Sequence, residues 1–253
     1  MANPPRFDRG RRELLGLTVR GLALGALASA PFGARAQGID VSKLKIATIG
    51  AGREGGALGT LFAKRGHQVM FSSRNPDQLK DLVTKAGPNA QAGTVAQAVA
   101  FGDVVLVVVP YTAMEQIGRD YGTALASKVL VMDVSNPIPR RDGDDFVKSV
   151  NDQGGAGIVA TKWLPGSHIV RAFNAIGYGR LEEGSQRKGD PVGVPIAGDN
   201  QTAIAVASDL IKEVGFEPVL VGGLAMGKYL VPGTALGGEH SPAEIKQIAA
   251  TLK

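Results

Sequence analysis

From Lys43 onward the chain alternates short apolar runs, rich in Val and Ile, with longer stretches in which apolar residues recur every three or four positions. The first kind has the length and β-branched content of strands, and the second has the period of helices facing a core. The runs predict strands over residues 44–49, 68–72, 104–109, 129–134, 169–173, 193–197 and 218–221. The periodic stretches predict helices over residues 55–65, 76–86, 94–101, 111–126, 200–214 and 241–253. The run Val104-Val105-Leu106-Val107-Val108-Val109 has no polar alternation, as expected of a strand covered on both faces. Regular strand–helix alternation predicts an α/β fold: a Rossmann-like, doubly wound, mostly parallel sheet with a short helical C-terminal extension.

Local punctuation agrees with this pattern. Asn200 is placed to cap a helix whose apolar face is Ile204, Ala207, Ile211 and Val214, and Gly215 to end it. Ser241-Pro242-Ala243-Glu244 is a capping box with Pro at the first helical position.

Residues 1–36 follow a different pattern. A basic run (Arg6, Arg9, Arg11, Arg12) precedes an apolar Gly/Ala/Leu stretch that ends in Ala34-Arg35-Ala36. That is the order of a cleavable secretory signal, and the Arg11-Arg12 pair resembles a twin-arginine export signal. The uncharged run from Gly21 to Ala34 is 14 residues long and contains Pro31, too short for the roughly 20 residues of a membrane span. The expected organisation is an export signal over 1–36, a linker over 37–42, a dinucleotide-binding domain over 43–223 and a helical extension over 224–253. The expected location is the periplasm after cleavage behind Ala36, with no membrane span in the mature chain.

Composition then narrows the chemistry. The 253 residues carry 28 Lys plus Arg against 23 Asp plus Glu, a balance that by itself suggests nucleic acid. Six of those basic residues and only two acidic ones fall in residues 1–36, leaving 22 basic against 21 acidic from Gln37 onward. The basic excess belongs to the export segment, so no nucleic-acid partner is expected. The chain has no Cys, and its three His (His67, His168, His240) are far apart, so neither a thiolate metal site nor a cysteine nucleophile is available and no metal is expected.

The strongest chemical signal is Gly50-Ala51-Gly52-Arg53-Glu54-Gly55, between a predicted strand and a predicted helix. In this fingerprint Gly50 allows the tight turn, Gly52 lets the backbone approach a pyrophosphate, and Gly55 lets the helix pack closely on the sheet. The helix N-terminus holds the phosphates, and Arg53 either adds charge beside them or points to solvent. Gly59 keeps the same helix face small. At the end of the second strand, where an NAD enzyme carries an acidic residue for the ribose, the sequence reads Ser72-Ser73-Arg74-Asn75. Two hydroxyls and a guanidinium suit a 2′-phosphate, so the expected cofactor is NADP.

These motifs, with Val108-Val109-Pro110, Val170-Arg171-Ala172-Phe173-Asn174, Gly198-Asp199 and the late Gly215-Phe216-Glu217-Pro218 and Val221-Gly222-Gly223-Leu224-Ala225 stretches, resemble the coenzyme F420-dependent NADP oxidoreductase family over residues 43–232. The same module is similar to the NADPH-binding part of membrane metalloreductases. The resemblance implies a Rossmann domain, usually dimeric, that passes hydride between nicotinamide and a deazaflavin. It implies further that Gly50 to Gly55 hold the pyrophosphate, Ser73 and Arg74 the 2′-phosphate, and Val109-Pro110 the edge of the dinucleotide, with Asn174, Ala175 and Ile176 beside the nicotinamide. At Asn174 the sequence follows the metalloreductase branch, where archaeal deazaflavin reductases typically carry His.

The segments expected at the carboxyl ends of the strands (Pro110-Tyr111-Thr112, Ser135-Asn136-Pro137 and 174–178) hold amides, hydroxyls and an aromatic ring but no obvious acid–base pair. Hydride exchange between planar cofactors needs orientation and water exclusion more than a proton donor. The expected activity is therefore hydride transfer between NADP(H) and a flavin-like or F420-type acceptor or donor. Two alternatives stand beside it: an NADP-binding redox partner without turnover, and an imine or β-hydroxyacid reductase. The short stretch after Gly223 counts against the latter, because those families use a long helical C-terminal region. Tyr111 and Tyr178 either stack on a ring or pack in the core, Asn136-Pro137 serves either a turn or the substrate, and His168 is read as structural.

Overall fold

A computed structural model describes residues 38–252. The predicted export segment and its cleavage point lie outside the described residues. Part of the expected linker is ordered: Val41–Lys43 form a 3-10 turn capped by Asp40, whose carboxylate accepts from the Ser42 amide.

Eight strands form one sheet in the order β3-β2-β1-β4-β5-β6-β7-β8. They are β1 Ile46–Ile49, β2 Val69–Ser72, β3 Ala90–Gly93, β4 Val104–Val107, β5 Leu130–Asp133, β6 Ile169–Arg171, β7 Gly193–Gly198 and β8 Glu217–Gly222. The first six are parallel; β7 runs antiparallel to β6, and β8 follows β7. The fold is thus the expected mostly parallel α/β sheet, and it has one strand more than the sequence pattern predicts. β3 reads Ala-Gln-Ala-Gly and lies at the sheet edge, half exposed, so it carries neither an apolar run nor an alternation to find.

Alternating side chains of the central strands feed two cores, because successive Cβ atoms point to opposite faces. Ile46, Val104, Leu106, Leu130 and Met132 face α1 (Arg53–Lys64), α2 (Lys80–Ala86), α8 (Tyr178–Ser185) and α9 (Gln201–Glu213). Ala47, Ile49, Val105, Val107 and Val131 face α3 (Val95–Phe101), α4 (Met114–Ala126) and α7 (Ala156–Trp163). The C-terminal stretch closes over the far end of the sheet, where Leu230, Leu236 and, from α10 (Pro242–Thr251), Ile245 pack on Ala197 and Val219. Both capping predictions hold: the Asn200 side chain accepts from the Ala203 amide at 2.9 Å, and Ser241 and Glu244 form a reciprocal capping box.

Between β5 and β8 the chain contains four helices that the sequence pattern does not predict, α5 (Pro139–Asp142), α6 (Asp144–Asp152), α7 and α8. Each has ten residues or fewer, too short to show a clear 3.6 period. Tyr111 is resolved as a core residue. It is fully buried, donates its hydroxyl proton to the Ala156 carbonyl and packs against Trp163 with ring centroids 5.3 Å apart. His168 is structural, with Nδ1 3.1 Å from the Lys128 carbonyl.

Candidate dinucleotide site

The strand order reverses between β1 and β4, and a crevice opens at the carboxyl ends of the strands on either side of such a switch point. The glycine turn sits there. Gly50 has φ of +96°, and a Cβ on it would collide with the Val108 carbonyl; a Cβ on Gly55 would collide with the Gly50 carbonyl. Both glycines are therefore required by the close approach of β1, β4 and α1. Gly52 is different. It caps α1 in an extended conformation, is exposed, and has nothing within 4 Å of its Cβ position. This is the clear approach a pyrophosphate needs to reach the unpaired amides at the start of α1.

The turn is tied to the end of β2 by a bond from the Ala51 amide to the Ser72 carbonyl at 3.0 Å. The two serines beyond it have separate roles. Ser72 is fully buried and donates its hydroxyl to the Thr48 carbonyl at 2.6 Å, so its side chain braces β1 against β2 and is corrected here from a cofactor contact to a sheet contact. As the last residue of β2, it points inward by strand alternation. Ser73 is half-buried, and its oxygen accepts from the Asn75 amide at 2.9 Å, which leaves its own proton to donate. Arg74 is exposed and forms no ion pair with any described residue. No carboxylate stands at the end of β2.

On the other side of the turn lies a cleft of about 300 Å³. Residues 52–55 line one wall, Val109 and Pro110 the next, and Asn136, Asn174 and Ala175 the floor. The chain leaves β6 through Phe173, at φ 60° the one non-glycine residue among those described with positive φ, and its ring packs edge-on against Phe216 at 5.5 Å. Such a conformation costs on the order of 1–3 kcal/mol and persists only where the surroundings impose it. Here it turns the chain so that Asn174 lies across the ends of β5 and β6. Its amide nitrogen donates to the carbonyls of Asp133 and Ser135, at 3.1 and 3.2 Å. Its Oδ1 is enclosed yet has no partner, in a residue only 3% exposed. An orphaned buried acceptor beside a cleft is a place for a ligand donor.

Beneath Asn174 lies a buried ion pair. Asp133 and Arg171 close β5 and β6 as direct register partners, and both are fully buried. The Asp133 carboxylate accepts from the Arg171 guanidinium and, at 2.8 Å, from the Ser135 amide. Burial pushes the Asp133 carboxyl up, while the Arg171 charge and these hydrogen bonds oppose it. Arg171 also donates to the Ser135 carbonyl and the Asn136 Oδ1, at 3.0 and 3.1 Å, and Asn136 donates to the Asn174 carbonyl at 2.9 Å. Asn136 is therefore held by this network and is more than a turn residue. The signal for the pair was one charged residue in each of two apolar strands, each at the carboxyl end.

At the mouth, Arg53 donates to the Tyr178 hydroxyl at 3.2 Å and lies 5.5 Å from that ring's centre, with Tyr178 still 47% exposed. Tyr178 thus does not pack in the core. Among the described residues no cluster of potential metal ligands occurs, and no helix is long and apolar enough to cross a membrane.

Residues 45–137 match the family described as NADP oxidoreductase, coenzyme F420-dependent. That segment contains the glycine turn, Arg74, Val109-Pro110 and Asp133. The chain is 30% identical over 184 residues to metalloreductase STEAP3 of Rattus norvegicus, an alignment covering 72% of this chain and 34% of that protein. The chain thus spans about a third of that relative's length. Among solved structures, a hypothetical protein from Sinorhizobium meliloti aligns with TM-score 0.67 and 25% identity, covering 79% of this chain and 96% of that one. A protein from Arthrobacter described as an F420-dependent NADP reductase shares the fold at TM-score 0.63 and 19% identity, covering 73% and 87% of the two chains.

Proposed function

We propose that the chain is an NADP-dependent oxidoreductase that moves hydride between NADP(H) and a planar flavin-like or deazaflavin partner. The observation that carries this reading is the pairing of an unobstructed Gly52 at the start of α1 with an unpaired Arg74, in place of a carboxylate, at the end of β2. Bound NADP(H) would supply or take up the hydride. The amides at the start of α1 would hold its pyrophosphate, and Arg74 with the Ser73 hydroxyl its 2′-phosphate. Asn174 Oδ1 would accept an N–H from the carboxamide of the nicotinamide, and Val109 and Pro110 would keep water from that side of the ring.

Binding tests the reading. Arg74→Ala is expected to weaken NADPH binding by about 1.5–3 kcal/mol and NADH binding hardly at all, the loss of one charged hydrogen bond. Titration of both dinucleotides against both proteins decides it; an equal loss for the two would remove the 2′-phosphate assignment. Oxidation of NADPH by the full chain with F420 or FMN as acceptor then tests turnover.

The export reading belongs to the same proposal and rests on the Arg11-Arg12 pair, the short apolar stretch and Ala34-Arg35-Ala36. Protein recovered from the producing cell's periplasm is expected to begin at Gln37. An intact N-terminus on cytoplasmic protein would overturn it.

A further inference from the structure

The cleft contains a carboxylate that the proposed reaction does not use. Glu54, the second residue of α1, lines the wall facing Asn174, and its Oε1 is enclosed without a hydrogen-bond partner. Among the described residues, the nearby cations are engaged elsewhere or turned away. Arg53 is exposed and lies on Tyr178. Arg141, across the cleft on α5, is paired with Asp142 at 2.8 Å and donates to the Asn136 carbonyl. Arg171 is committed to Asp133. On α8, Arg180 pairs with Glu183 and Glu239, and Glu182 with Lys64. Burial pushes the Glu54 carboxyl up to about 7, with the Tyr178 backbone amide pulling the other way. An unpaired carboxylate at a site built for a pyrophosphate looks like a liability, since it adds repulsion.

The charges of the two redox states explain what it can do. NADP and NADPH carry the same pyrophosphate and the same 2′-phosphate, so repulsion from those groups cancels between them. They differ at the nicotinamide ring, which is a cation when oxidised and neutral when reduced. A carboxylate lining the cleft, with Oε1 enclosed and no cation among the described residues to neutralise it, discriminates between the two rings by charge alone. We infer that Glu54 is the counter-charge for the oxidised nicotinamide ring and makes the cleft prefer NADP over NADPH. This rests on the dinucleotide reading above and adds to it a direction: the site favours the oxidised cofactor, and so favours giving hydride away.

The sign follows from the charge. Ionised Glu54 attracts the oxidised ring; protonated Glu54 is indifferent to it. Ionisation of Glu54 is therefore favoured more in the NADP complex than in the NADPH complex, so the two dinucleotides differ in the protons they take up or release near neutral pH. A charge interaction of this kind shifts the affinity ratio on the order of tenfold.

The experiment is a set of titrations of the full chain with NADP and with NADPH at pH 5.5, 7 and 8.5, for the wild type and Glu54→Gln. The ratio of the NADPH to the NADP dissociation constant is expected to rise about tenfold across that range in the wild type and to stay flat in Glu54→Gln. A flat wild-type ratio with both dinucleotides bound overturns the assignment of Glu54 alone, and the wild-type profile suffices if the variant does not fold. The same slope in Glu54→Gln as in the wild type also overturns it. Failure of both dinucleotides to bind at any pH overturns the dinucleotide reading, and this inference with it.

Discussion

Arg171→Leu is expected to lower the free energy of unfolding by about 3–5 kcal/mol, because it leaves the Asp133 carboxylate buried without its counter-charge. Both side chains are fully buried, and the two residues are register partners at the ends of β5 and β6. Water cannot reach the carboxylate to replace the guanidinium. The Asn136 Oδ1 would lose its Arg171 donor as well, and the Ser135 carbonyl one of its two side-chain donors. The double variant Asp133→Leu/Arg171→Leu removes both charges together and is expected to recover most of that loss, since well-packed apolar replacements of a buried pair are often neutral. Urea denaturation of the three proteins measures both effects. A single-variant loss below about 1 kcal/mol would mean that the pair does not hold this end of the sheet. The double variant should still bind dinucleotide more weakly than the wild type, because Asn136 and Asn174 take their positions from the network above the pair.

Gly52→Val is expected to have the opposite signature, with little change in stability and a loss of dinucleotide binding of at least about a hundredfold, or roughly 2.7 kcal/mol. Gly52 has a negative φ in the extended region, and no atom lies within 4 Å of where its Cβ would be. The fold therefore tolerates a side chain there. The pyrophosphate does not, because the branched side chain would occupy the space through which it reaches the α1 amides. Gly55 is the control. Its Cβ would strike the Gly50 carbonyl, so Gly55→Val should lower stability as well as binding. Thermal unfolding alongside NADPH titration separates the two cases; a Gly52→Val protein that binds normally would show that the phosphates do not approach the turn.

The two glycines mark the boundary between what spacing and contacts reveal. Spacing in the sequence found both Gly52 and Gly55 and assigned each a role. That one guards open space and the other a packed contact is visible only once β4 and α1 are in place. Ser72 and Ser73 show the same limit more sharply. As neighbours they looked like two hydroxyls for one phosphate, but strand alternation ends at Ser72 and sends its hydroxyl into the sheet, toward Thr48. Arg74, beyond the strand, escapes that constraint and stays exposed. Tyr111 and Tyr178, equal candidates by composition, separate because one follows β4 into a crowded face and the other starts a helix at the cleft mouth.

By itself the sequence determined what is local: the apolar strands, the caps at Asn200 and Ser241, the glycine fingerprint, and the exchange of an acidic residue for Arg74. Each depends on neighbours within a few residues, so periodicity and spacing report it directly. The tertiary structure alone decided what depends on elements distant in the chain. The Asp133–Arg171 pair joins residues 38 positions apart, β7 turns against β6, and the Glu54 Oε1 is left without a partner among the described residues. Pairing and burial are properties of the assembled sheet. A residue's charge is written in the sequence, but whether that charge is satisfied depends on which strand ends and helices the fold brings beside it.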